Sequence, residues 1–153
     1  ENVILRNGRN PIITSDMINE SSKSIVEKYD IRIPSLAAPL ESLSGGNQQK
    51  VIFGREVELN SNTMVFVHPT RGVDINATAY IHKIILEQKN KGKAILLITS
   101  DLDEAFHLSD KIGVLYKGRI GIEFIRKDFE EGSSKRDEVL RNIGKAMIGV
   151  NVV

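Results

Sequence analysis

The sequence predicts an α/β fold with a largely parallel sheet, and three observations carry that prediction. Short β-rich runs alternate with stretches whose apolar residues recur every three or four positions. The run Ala94 to Thr99 is continuously apolar, as a strand buried on both faces would be. Glycine, proline, serine and asparagine cluster between the periodic pieces, where turns belong. Strand–helix–strand alternation of this kind builds a parallel sheet through helical crossovers.

Taken in order, Gly8 to Pro11 is a turn signal, and Ser15 or Asp16 is placed to cap a helix running to about Tyr29. Met17, Ile18, Ile25, Val26 and Tyr29 lie on one face of that helix. Pro34 and Pro39 bracket a loop, and a helix from Asn47 to about Leu59 follows with Val51, Ile52 and Val57 facing inward. Thr63 to Val67 is a strand closed by Pro69. Asp74 or Asn76 starts a helix carrying Tyr80, Ile81, Ile84 and Ile85, which ends at Gly92. Asp101 to Glu104 resembles a capping box opening a short helix. Ile112 to Tyr116 and Arg119 to Phe124 flank Lys117-Gly118 as a hairpin, the alternation of the second run being that of a half-buried strand. Arg136 to Ile148 is a last amphipathic helix with Val139, Leu140, Ile143 and Met147 on its apolar face.

Composition narrows the function classes. The 153 residues are 41% hydrophobic and 27% charged, enough for one domain with a core. Twenty-one basic against twenty acidic side chains leave no broad attraction for nucleic acid or anionic lipid. The absence of cysteine excludes a disulfide framework and a thiolate metal site. The longest apolar runs fall far short of the roughly 20 residues that cross a bilayer. The chain opens on Glu1-Asn2-Val3-Ile4-Leu5, inside an expected strand and without an initiator methionine, which suggests a segment of a longer protein.

Leu43-Ser44-Gly45-Gly46-Asn47-Gln48-Gln49-Lys50 is the strongest chemical signal. A serine and two glycines precede a helix with no bulky side chain in the way. Backbone N–H groups, the Ser44 hydroxyl and the positive helix end can then converge on one anion. An ordinary serine-capped helix after a glycine-rich turn is the bland alternative. The order of the next segments tips the balance: a strand, Pro69-Thr70, then Arg71-Gly72-Val73-Asp74.

The octapeptide resembles the signature motif of ATP-binding cassette (ABC) proteins, in the form found in the second nucleotide-binding domain of sugar and nucleoside importers. The resemblance covers about Ile25 to Gly149. Asp30 to Ser35 is more similar to the nucleoside-type branch than to the ribose-type branch. The fold implied is a partial ABC-type P-loop NTPase domain: a signature-helix subdomain plus a RecA-like parallel sheet lacking the Walker A strand, with a C-terminal hairpin and helix. Residues 1–62 would hold the end of an N-terminal strand region and the helical subdomain, and residues 63–153 the C-terminal part of the RecA-like core.

In that family two domains face each other head to tail, and the signature of one contacts the γ-phosphate of ATP held by the Walker A loop of the other. Ser44, Gly45 and Gly46 match the contacting positions, with Gln48 beside them. Gly72 and Asp74 match the D-loop, which crosses to the opposite nucleotide site, and Asp74 is equally a helix cap. Thr63 to Thr70 aligns with the Walker B strand, where the family carries Asp-Glu-Pro-Thr; this chain has Val67 and His68 in place of the two acids. Valine cannot ligate magnesium, and His68 reads as a packing or polar-positioning residue rather than a base. Ser100 stands where the family has a switch histidine, and it can equally be a helix-start residue. Three departures at the hydrolytic positions point to a degenerate site beside an intact signature. His82 and His107 lack a second ligand at metal spacing, so no metal site is expected.

The resemblance therefore implies part of the ATPase subunit of a bacterial sugar or nucleoside importer, peripheral on the cytoplasmic face of the inner membrane. ATP and Mg2+ would act in the full assembly, and none would bind tightly to this fragment, which should neither hydrolyse ATP nor contact nucleic acid. Its partners would be the first nucleotide-binding domain of the same protein and the transmembrane permease subunits. An incomplete sheet edge would also favour self-association of the fragment. Two other classes carry the same motifs: a soluble ABC ATPase of DNA repair or translation, and a non-hydrolysing regulatory module. The Asn-Gln-Gln-Lys form and the lost acids favour the importer.

Overall fold

A computed structural model describes residues 14–150, and the strand expected at Glu1 to Leu5 and the turn at Gly8 to Pro11 lie outside them. The chain divides into two compact units, one ending at Ile98 and the other beginning at Thr99.

The first unit opens with α1 (Ser15–Lys28), α2 (Gly45–Glu58), β1 (Thr63–Val67), α3 (Ile75–Asn90) and β2 (Ala94–Ile98). Thr14, not Ser15 or Asp16, caps α1: its Oγ1 accepts the Met17 N–H at 3.3 Å, and both later residues are already helical. Helix α2 starts two residues earlier than expected, so Gly45 and Gly46 form its first turn. The inward face of α2 is Val51, Phe53, Gly54 and Val57, while Ile52 is exposed. Phe53 stacks on Phe66 of β1 with ring centroids 5.1 Å apart.

Strands β1 and β2 pair in parallel, Thr63 opposite Ala94 through Val67 opposite Ile98, with α3 as the crossover. Met64 and Phe66 are buried on one face together with Ile81, Ile84 and Ile85 of α3. The other face is not covered within the described residues. Val65 (58% exposed), Val67 (60%), Leu96 (54%) and Ile98 (43%) form an open apolar surface. The expectation that β2 is buried on both faces is therefore corrected: its apolar run exceeds the cover that α2 and α3 supply, and every second side chain is left outward.

Helices α1 and α2 are clamped at their ends. Tyr29 Oη and Lys28 Nζ both donate to Glu58 Oε1 at 2.7 Å. Burial, then the Glu58 hydrogen bond and charge, push the Tyr29 pKa further above its ordinary value. Burial draws the Glu58 pKa upward, but the hydrogen bonds from Lys28 and Tyr29 outweigh it and hold the carboxyl below its usual range. A depressed carboxyl stabilises the fold above its unfolded pKa and loses that contribution as pH falls through the folded one. A raised tyrosine does the reverse: its contribution is complete below the unfolded value near 10 and fades as pH rises beyond it. Tyr29→Phe is expected to cost about 1–2 kcal/mol at neutral pH. Denaturant unfolding across pH should show that deficit shrinking as pH falls below the usual carboxylate range, where Glu58, held low by Lys28 and Tyr29, takes a proton last. A deficit that stays constant into acid would mean the clamp is not what Tyr29 supplies.

The second unit contains α4 (Leu102–Leu108), β3 (Lys111–Tyr116), β4 (Arg119–Ile125), α5 (Arg126–Phe129) and α6 (Arg136–Met147). Asp101 caps α4 by accepting the Glu104 N–H at 3.1 Å, yet the capping box is only half made. The Asp101 N–H is taken by Thr99 Oγ1 at 3.0 Å, and the Glu104 side chain is buried. The β3–β4 hairpin turns at Lys117 and Gly118, both with positive φ, as the twist of two antiparallel strands prefers. A register shift after Val114 places Leu115 opposite Ile120. Phe106, Ile112, Val114, Phe129, Val139 and Ile143 form the core of this unit, with Leu140 partly buried against it. Met147, expected in that core, is 47% exposed, because Ala146 takes the inward position one residue earlier. No helix among the described residues is long and apolar enough to cross a membrane.

Candidate functional site

The turn into α2 is built from extended backbone at Leu43 and Ser44 followed at once by helical Gly45. Ser44 occupies the N-cap position, and its carbonyl accepts the Gln48 N–H at 2.9 Å. Its side chain does not cap the helix. The first-turn N–H groups are thus left without the Ser44 oxygen as a partner, at the end of a 14-residue helix whose dipole is positive there. Ser44 and Gly45 are exposed, and Gly46 is partly so.

Side chains behind the turn hold it in shape. Gln48 Nε2 donates to the Leu43 carbonyl at 2.8 Å, so part of this predicted contact residue is engaged within the turn itself. Asn47 is bonded on both ends of its amide: Oδ1 accepts the Arg32 N–H at 2.9 Å and Nδ2 donates to Ser44 Oγ at 3.0 Å. Lys50 donates to the Asp30 carbonyl at 2.7 Å, lies 3.5 Å from Asp30 Oδ2, and sits 4.5 Å from the centre of the Tyr80 ring on α3. Burial, then Asp30 and Glu87, raise the Tyr80 pKa above its ordinary value. The sequence alone assigns no separate role to Asn47 or Lys50. Apart from Ser44, their partners Arg32, Asp30 and Tyr80 lie fifteen to thirty residues away, and nothing local announces them.

The segment after β1 meets the same turn. His68 has φ +46°, in the left-handed region, and its N–H donates to the Ile98 carbonyl at 2.8 Å. Its carbonyl accepts the Arg71 N–H at 3.2 Å. Gly72 follows at φ +76°, a conformation that costs most side-chain-bearing residues about 1 kcal/mol or more. Asp74 then caps α3, Oδ1 accepting the Ala77 N–H at 2.9 Å. A Cβ at Gly46 would stand 3.1 Å from Ala77 Cβ and 3.4 Å from Asp74 Oδ2, and one at Gly45 would stand 3.5 Å from the Gly72 carbonyl. The structure therefore brings Ser44, Gly45, Gly46 and Gln48 together with Gly72 and Asp74. It also shows a second reason for glycine at position 46, the close approach of α2 to Ala77 in the first turn of α3, whereas a Cβ at Gly45 would make only ordinary contact.

Val67 ends β1, exposed and without an oxygen or nitrogen in its side chain, and His68 is half-buried beyond it. No group of three histidine, aspartate or glutamate residues placed to hold a metal occurs among the described residues. The residues present do not fit a magnesium site at the end of β1. A cavity of about 380 Å³ opens beside this strand, lined by residues that include Phe53, Glu56, Met64, Phe66 and His68, and the turn glycines take no part in it. Ser100 belongs to the second unit, exposed, just ahead of the Asp101 cap of α4.

No protein-family model matches the chain. Curated relatives do match. The guanosine import ATP-binding protein NupO of Bacillus subtilis is 43% identical over 101 residues, 66% of this chain. The nucleoside import ATP-binding protein NupA of Lactococcus lactis is 41% identical over 103 residues, 67% of this chain. This chain is a homologue of the sugar and nucleoside import ATP-binding proteins. The ribose import ATP-binding protein RbsA of Corynebacterium glutamicum is also 43% identical, over 109 residues and 71% of this chain, so nucleoside and ribose branches stand level. The homologous region is about a fifth of the length of these relatives: 20%, 20% and 21%. Among solved structures, a dimeric bacterial ABC transporter cassette superposes with a TM-score of 0.68 at 20% identity, over 82% of this chain and 55% of that one. A second ABC transporter cassette, described in its ADP conformation, gives 0.63 at 24% identity, over 94% and 54%. The fold of this chain is thus that of part of an ABC ATPase cassette.

Proposed function

We propose that this chain is the signature-bearing C-terminal half of the second nucleotide-binding domain in the ATP-binding subunit of a bacterial sugar or nucleoside importer. In that role it completes an ATP site whose phosphate cradle belongs to a partner domain. The observation that carries this reading is the turn at Ser44 to Gly46. A serine hydroxyl not used as a helix cap and the first-turn N–H groups of α2 lie together on an exposed surface beside the Gly72–Asp74 loop. Compact donors at a helix N-terminus are what a terminal phosphate requires.

The chain's own hydrolytic positions support a division of labour. Val67 offers no ligand, His68 is held in a strained backbone by the Ile98 carbonyl, and Ser100 can hydrogen-bond but carries no charge. On this reading ATP and Mg2+ belong to the composite site and are not held tightly by this chain alone. Residues 1–62 then act as the signature-bearing part and residues 63–153 as the C-terminal part of the nucleotide-binding core. The first nucleotide-binding domain faces the turn, and the permease subunits anchor the assembly at the cytoplasmic face of the inner membrane. The open face bearing Val65, Val67, Leu96 and Ile98 favours self-association of the isolated chain.

Steady-state ATPase of the assembled importer tests the division. Loss of one hydrogen bond to a charged group costs about 1.5–3 kcal/mol, or roughly tenfold to a hundredfold in rate. Ser44→Ala is expected to slow turnover by that factor, and His68→Ala to leave it nearly unchanged. Equal turnover in Ser44→Ala and wild type would sink the reading.

A further inference from the structure

The hydrogen bonds around Asn47 have a fixed direction, and the direction has a chemical consequence. The Arg32 backbone N–H can only donate, so the group 2.9 Å from it is the amide oxygen of Asn47. That partner settles which end of the amide points where, a choice made by the hydrogen-bond network rather than by atom shape. The NH2 end is therefore the one 3.0 Å from Ser44 Oγ, and an NH2 group also only donates. Ser44 Oγ must accept from Asn47. Its single hydrogen is then directed away from Asn47.

Nothing else in the helix start competes for that hydroxyl. The Ser44 side chain caps no backbone N–H of α2, and the residue is exposed. A serine hydroxyl free to rotate presents either a hydrogen or a lone pair to a ligand, and the lone pair repels an ionised phosphate oxygen. A hydroxyl already accepting from a fixed amide presents its hydrogen. We propose that Asn47 is a positioning residue that holds the Ser44 hydroxyl as a donor toward the terminal phosphate presented by the partner domain. Arg32 N–H orients Asn47, and Asn47 orients Ser44; the relay does its work without Asn47 touching the nucleotide. This rests on the function proposed above.

The test is a double-mutant cycle in the full-length ATP-binding protein assembled with its permease. kcat and KM for ATP and the thermal midpoint are read for wild type, Asn47→Ala, Ser44→Ala and the double variant. Asn47→Ala is expected to lower kcat by about threefold to tenfold, the hydroxyl keeping only part of its value once it rotates. KM for ATP should change little, because the cradle lies in the partner domain. In the Ser44→Ala background the same substitution should add nothing. Asn47→Asp should fall below Asn47→Ala, since a carboxylate draws the Ser44 hydrogen to itself and adds a negative charge. Should Asn47→Ala lower the thermal midpoint, Asn47→Leu repeats the cycle with similar bulk and no amide. Multiplying effects in the double variant, or wild-type kcat in Asn47→Ala beside a slowed Ser44→Ala, overturn the relay while leaving the phosphate contact standing. A Ser44→Ala enzyme with wild-type kcat overturns the phosphate contact itself, and the relay with it.

Discussion

Gly46→Asp is expected to lower ATP turnover of the assembled importer by more than about a hundredfold, beyond the loss from Ser44→Ala. The new Cβ would stand 3.1 Å from Ala77 Cβ and 3.4 Å from Asp74 Oδ2, so α2 must shift against α3 before any carboxylate is placed. The added charge then lies beside the carboxylate that caps α3. Two like charges about 4 Å apart repel by about 1 kcal/mol in water and about 4 kcal/mol in a partly buried setting. An acid in the first turn of an exposed helix would ordinarily gain only about 0.3–1 kcal/mol from the helix dipole. The repulsion wins, and the same carboxylate competes with the terminal phosphate for the first-turn N–H groups. Gly46→Ala adds the same Cβ without the charge: the 3.1 Å approach to Ala77 must give by a few tenths of an ångström, the 3.4 Å approach to Asp74 Oδ2 is near ordinary contact, and much of the activity should be retained. ATPase rates for both variants, read beside their thermal midpoints, separate lost packing from lost phosphate contact. If His68→Ala silences the importer while Gly46→Asp does not, the division of labour is wrong.

Phe129→Ala is the substitution expected to cost most in stability, about 3–5 kcal/mol. Phe129 is fully buried, its ring centroid 5.4 Å from that of Phe106, at the centre of the second unit. Arg136 donates to its carbonyl at 2.7 Å and lies over the Phe106 ring at 4.9 Å, so the surrounding groups are tied in place and collapse poorly into a void. A unit of this size has little stability in reserve, since small domains bury a smaller fraction of their surface. The second unit of Phe129→Ala should therefore be largely unfolded at room temperature, whereas Phe129→Leu should cost under about 1.5 kcal/mol. Denaturant unfolding followed by hydrogen exchange at β3 and β4 measures both. Protection of those strands at the wild-type level in Phe129→Ala would show that the core closes around the gap.

The features legible in the chain alone are local ones. The β-rich run Thr63–Val67 closed by Pro69 announced β1, though not that Met64 and Phe66 face inward, and Asp74 and Asp101 announced the caps they form. Lys117-Gly118 announced a turn because two successive residues at positive φ suit few other pairs. The octapeptide, Arg71 to Asp74 and the Val67-His68 pair could be singled out because each is a run of neighbours in the chain, and the roles proposed for them rest on resemblance. The start of α2 was missed by two residues because glycine reads as a helix breaker, and only the approach of Ala77 shows why glycine is tolerated there. The hydrogen bond from the Arg32 N–H to Asn47 and the placement of Lys50 over Tyr80 were likewise decided in three dimensions. So was the exposure of Leu96 and Ile98, which an apolar run alone cannot foretell. Propensity, capping and alternation act within a turn or two of helix or a single strand. Which face a helix offers to another element thirty residues on is set by how their side chains interlock, and that packing has no short-range trace in the chain.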